Sequence, residues 1–94
     1  MKVLLTNTFK RTAKKLHRKQ IPLLEEAIQK IQDDPMIGVL KVGDLAGIYV
    51  YKFHIMHQLI LLAYTYDEDN DELMLLSFAP HENFYENLKK QVIH

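Results

Sequence analysis

Three features of the sequence predict an α+β domain with the element order β-α-α-β-β-β-α. Residues 9–31 carry two successive apolar stripes at helical spacing, and residues 48–78 hold three strand-like segments parted by short polar turns. A proline at position 80 then precedes a last amphipathic stretch. Elements in this order build a small antiparallel sheet with an N-terminal helical hairpin on one face and a C-terminal helix closing the chain. Residues 1–94 read as a single domain, without repeat, linker or low-complexity tract.

Val3-Leu4-Leu5 is a short apolar run ended by Thr6-Asn7-Thr8, a first strand closed by a helix N-cap. From Phe9 the apolar residues Phe9, Ala13 and Leu16 follow at spacings of four and three, one helical stripe with Lys and Arg on the other faces. Pro22 suits the first turn of a second helix, where its missing N–H has no partner to lose. Leu23, Leu24, Ala27, Ile28 and Ile31 give that helix its apolar side. It ends near Asp33-Asp34, because the residue before Pro35 is driven out of the α region. Gly38, Gly43 and Gly47 mark a turn-rich stretch before three strands at Ile48–Ile55, Gln58–Tyr66 and Leu73–Phe78. Near-continuous apolarity from Leu59 to Ala63 makes the middle strand central, covered on both sides. Glu82–Val92 closes the chain as a helix with Phe84, Leu88 and Val92 inward.

Composition narrows the function. With no cysteine, disulfides and thiolate metal sites are excluded. The run Leu59–Ala63 falls far short of the roughly 20 residues that span a bilayer, so no membrane is expected. Val3-Leu4-Leu5 is likewise too short for the core of a secretory signal, and the expected compartment is the cytoplasm. Twelve basic and twelve acidic residues cancel in sum but not in place. Residues 1–20 carry Lys2, Lys10, Arg11, Lys14, Lys15, Arg18 and Lys19 with no acid, whereas Asp67–Glu72 carries five acids and no base. A cationic face of this kind is either a solvated helix surface or a phosphate-tracking one.

Period-two geometry sorts the candidate polar groups. In the strand Ile48–Ile55, Tyr49, Tyr51, Phe53 and Ile55 share the core face, so Lys52 and His54 project from the opposite, more open one. Tyr64 and Tyr66 share a parity near the end of the next strand, where a tyrosine fills the core and keeps its hydroxyl wet. At Ser77-Phe78-Ala79-Pro80-His81-Glu82-Asn83-Phe84-Tyr85 a strand ends, a proline fixes the corner and a histidine opens a helix. Tyr85, four residues on, returns to the side of His81. Two readings stay open: a site that attracts phosphate, or a cap with Phe84 and Tyr85 as packing. There is no Gly-rich phosphate loop and no zinc-protease helix, and His54 and His57, three apart near a strand, face opposite ways. No metal and no cofactor are expected.

The element order, Leu45-Ala46-Gly47 entering a strand, Tyr51-Lys52-Phe53-His54 and the ending His81-Glu82-Asn83-Phe84-Tyr85 together resemble the RelE/ParE toxin superfamily of bacterial type II toxin–antitoxin systems. The likeness runs over essentially the whole chain. It implies a toxin that cleaves mRNA on the ribosome and is neutralised by a cognate antitoxin. By the same resemblance Lys52, His54, His81 and Tyr85 are the catalytic candidates, with Lys10, Arg11, Lys14, Lys15, Arg18 and Lys19 on ribosomal RNA. Many relatives carry an arginine in the strand where this sequence has Gln58 or Leu61, and Ser77 and Ala79 supply no charge either. Those positions leave open a weaker or histidine-dependent nuclease, a gyrase inhibitor of the ParE kind acting by contact, and a catalytically degenerate member.

Overall fold

The computed structural model describes residues 1–93 and realises the α+β class in the order β1 (Lys2–Leu5), α1 (Asn7–Lys14), α2 (Ile21–Asp33), β2 (Val39–Leu40), β3 (Tyr49–Ile55), β4 (Gln58–Asp67), β5 (Glu72–Pro80) and α3 (His81–Ile93). The five strands form one sheet in the order β1-β5-β4-β3-β2. β4 is central, and its Leu61, Leu62, Ala63 and Tyr64 have no exposed surface at all. No described helix is long and apolar enough to cross a membrane.

The sheet departs from expectation at both edges. β3, β4 and β5 are antiparallel neighbours, but β1 lies parallel to β5, so the sheet is mixed and not wholly antiparallel. The helical hairpin is the crossover that permits it, since parallel strands need a long connection and two helices supply one. At the other edge the two-residue β2 pairs with Tyr49 and Val50, a strand too short to show periodicity.

Each face of the sheet has its own core. Phe9 of α1 and Leu24 and Ile31 of α2 pack on Ile60, Leu62, Tyr64, Leu73, Leu75 and Phe78. The Phe9 and Phe78 rings meet edge-on at 4.9 Å, a favoured aromatic geometry. On the opposite face Phe84 and Leu88 of α3 pack on Leu45, Ile48, Val50, Leu61 and Ala63. Val92, expected inward, is exposed.

A bulge in β5 reconciles the two faces. Ala63 pairs with Ser77 but Tyr64 pairs with Leu75, so Leu76 is the extra residue. Without it Phe78 would have the opposite parity to Leu73 and Leu75; with it all three join the hairpin core. The Leu76 carbonyl, out of the ladder, accepts from the Thr6 hydroxyl and from Gln91 Nε2. Thr6 also caps α1, accepting from the Phe9 amide at 3.0 Å. One displaced carbonyl therefore ties α1 on one face to α3 on the other.

A second anchor is Tyr64. Its phenol donates to the Pro35 carbonyl at 2.7 Å and accepts from the Gly38 amide at 2.9 Å, fastening the link from α2 to β2 against the sheet. Burial pushes this phenol up to about 12. The hydroxyl read as wet is instead fully engaged by backbone.

Candidate functional site

Lys52 and His54 are exposed and share the face of Val50, as parity requires; their cross-strand partners are Leu61 and Leu59. That face is not bare, because α3 covers its centre. β2 stops at the level of Tyr49 and Val50, so the outer edge of β3 from Lys52 onward pairs with no strand among the described residues. There Lys52 and His54 border a cleft of about 310 Å³ shared with Leu23, Glu26, Ala27 and Lys30 of α2. Glu26 is paired to Lys30 at 3.5 Å across one helical turn.

His81 and Tyr85 do not share one environment. The pairing of Ile60 with Pro80 sets the start of α3 beside the β3–β4 turn. His81, exposed, lines a groove of about 380 Å³ with His57, Gln58, Leu59, Pro80 and Glu82. Tyr85 is half-buried, edge-on to Phe84 at 5.0 Å, with the Lys41 ammonium 5.2 Å from its ring centre. That cation–π contact is worth about 0.5–1 kcal/mol where water reaches it. Lys52 with His54, His81, and Tyr85 thus occupy three neighbourhoods of one sheet face. No groove among the described residues gathers all four.

Lys10, Arg11 and Lys14 lie on α1, whereas Lys15, Arg18 and Lys19 lie beyond it, in the link to α2. The basic block is therefore a helix plus a turn and not one helical face. All six are exposed, and none forms an ion pair among the described residues. Six unneutralised cations within ten residues make a surface suited to phosphates.

Two residues carry no signal in the linear pattern. His57 sits in the two-residue turn between β3 and β4, where strand parity no longer assigns a face. Lys41 meets Tyr85 from 44 positions away, and no local pattern could have paired them. The structure also opens a groove of about 550 Å³ beside the end of β5, with an apolar floor that includes Leu16, Ile60 and Phe78 and with Lys15 and Lys90 at its rim. It holds none of the four candidates.

A small mixed sheet, sandwiched between a cationic helical hairpin and a C-terminal helix, is the architecture of the RelE/ParE superfamily of toxins. The chain belongs to the ParE-like toxin family of type II bacterial toxin–antitoxin systems, whose family model matches residues 3–89. Solved structures agree on the fold. The toxin in the intact E. coli RelBE toxin–antitoxin complex is 15% identical over 86% of this chain and 96% of its own, with a TM-score of 0.69. The Mycobacterium tuberculosis RelBE2 complex gives 21% identity, 85% and 96% coverage and a TM-score of 0.71. A free E. coli RelE mutant gives 13% identity, 98% and 93% coverage and a TM-score of 0.74. No curated protein sequence matches the chain significantly.

Proposed function

We propose that this toxin is an endoribonuclease that cuts mRNA on the ribosome through the RNA's own 2′-hydroxyl, without a metal. The observation that carries the reading is the exposure of Lys52, His54 and His81 on one face of the sheet, with a cationic strip of α1 and its following turn elsewhere on the molecule. In such a cut the 2′-oxygen attacks the adjacent phosphorus and the bond to the 5′-oxygen breaks. A base takes the 2′ proton and an acid returns one to the leaving 5′-oxygen. Imidazole serves both ends because histidine ordinarily titrates near neutrality. His81 and a histidine of the β3–β4 hairpin, His54 by strand parity, take these roles. Lys52 offsets the charge that builds on the phosphorane, and Tyr85 stacks on a base. Lys10, Arg11, Lys14, Lys15, Arg18 and Lys19 hold ribosomal RNA by its phosphates.

A cognate antitoxin belongs to the same reading, since the structural relatives are RelE toxins solved with their antitoxins. An acidic or amphipathic segment suits the unneutralised cations. The test is to induce the chain in cells and map transcripts by primer extension. Growth arrest with cuts inside translated frames, both relieved by His81→Ala, supports the proposal.

The separation of the four candidates into three neighbourhoods favours a second reading, a contact inhibitor of DNA gyrase. Arrest with intact transcripts and blocked supercoiling selects it. Expression without any growth defect selects a degenerate member.

A further inference from the structure

We propose that the proton-transfer pair of this toxin is His57 with His81, and that the groove between the β3–β4 turn and the start of α3 holds the scissile phosphodiester of RNA. The proposal rests on the ribonuclease reading above and names the residues of its site. Strand parity points to His54, but His54 borders the cleft beside α2, whereas His57 and His81 line one groove. At about 380 Å³ this groove lies within the range of small-ligand sites. Both imidazoles are exposed, and neither side chain makes a hydrogen bond among the described residues.

The turn that carries His57 is held in a costly shape. Met56 adopts φ +58°, a left-handed conformation that costs an L-residue roughly 1–2 kcal/mol, although Gly or Asn there would relieve it. Its side chain is exposed and stands outside both cores, so packing does not offset that cost. The positive φ is what closes a two-residue hairpin loop between β3 and β4, and the loop leaves His57 exposed beside the groove.

The other polar groups of the groove act on an anion in opposite senses. Gln58 offers an amide donor to a non-bridging oxygen. Glu82, the chain neighbour of His81, is a like charge that disfavours phosphate on that side. A base on one side and an acid on the other is what in-line attack by the 2′-oxygen requires: one imidazole takes that proton and the other protonates the departing 5′-oxygen. Lys52 and His54, together in the cleft beside α2, then contact the strand to one side of the cut.

Cleavage by the full chain on translating ribosomes tests this with His57→Gln, His54→Gln and His81→Gln, their folding checked by thermal melts. His57 is an exposed turn residue, so His57→Gln keeps the fold. The expected result is a loss of about 100-fold or more for His57→Gln and for His81→Gln, the scale of a missing acid or base, with a small loss for His54→Gln. The pH–rate profile of His57→Gln loses one limb while the other stays. A His57→Gln enzyme that keeps wild-type rate and profile while His54→Gln loses both overturns the pair and leaves the ribonuclease reading standing. A wild-type chain that leaves every transcript whole overturns that reading and the pair with it.

Discussion

Tyr64 and Gly38 lie 26 positions apart, and the phenol of one accepts from the amide of the other at 2.9 Å with no space between them for a methyl group. A Cβ on Gly38 would sit 2.7 Å from the Tyr64 oxygen and 3.1 Å from the Val50 carbonyl. Gly38→Ala is therefore expected to cost about 1–3 kcal/mol in urea unfolding, the usual penalty for overpacking. Tyr64→Phe leaves the Pro35 carbonyl and the Gly38 amide without their partner, at a similar cost of about 1–3 kcal/mol. The double variant should lose less than the sum, because removing the oxygen makes room for the methyl. Strict additivity would show that close approach to the phenol is not what Gly38 serves.

The same phenol gives stability a dependence on alkali. Burial holds it at about 12, above the 10 of an exposed tyrosine. The folded value is the higher one, so the contribution is complete below pH 10 and is lost as pH rises through 12. Across that window the wild type should lose about 2–3 kcal/mol more than Tyr64→Phe. Urea titrations from pH 8 to 11 read the onset, and parallel curves for the two proteins would refute the assignment.

Thr6 couples two helices through one carbonyl. Thr6→Ala removes the α1 cap and one of the two donors to Leu76, and about 1–2 kcal/mol of stability should go with it. Thr6→Ser keeps both bonds and should recover most of that loss. If Ser behaves like Ala, the methyl group and not the hydroxyl is what matters.

The six exposed cations of α1 and its following turn should act on RNA affinity and not on the fold. Replacing Lys10, Arg11 and Lys14 by Gln changes stability little, since none is buried or ion-paired among the described residues. Ribosome binding should weaken uniformly, and its log–log salt dependence should become shallower by about 0.7–0.9 for each phosphate that the variant leaves unneutralised. A slope that stays put would move the RNA to another face.

Much of the architecture was legible in the residues because it rests on local pattern. The unbroken apolarity of Leu59–Ala63 declares a central strand, and the spacing of Phe84 and Leu88 declares a buried stripe. The partner of Val3-Leu4-Leu5 was not legible: an apolar triplet says nothing about which strand it joins, and its neighbour lies 70 positions away. Nor does strand alternation announce a bulge, so the shared face of Leu75 and Phe78 emerges only from the register. Among the candidate residues, parity placed Lys52 and His54 on the face that they occupy. It could not reach His57 in its turn, or join Lys41 to Tyr85.

Whether the RNA attacks itself can be decided by altering a single atom. A transcript carrying one 2′-deoxynucleotide immediately 5′ of a mapped cut should stay whole at that site on translating ribosomes, while other sites are still cut. The products of the unmodified transcript should end in a 2′,3′-cyclic phosphate and a 5′-hydroxyl. Cutting at the deoxy site with unchanged rate would contradict self-attack by the 2′-oxygen.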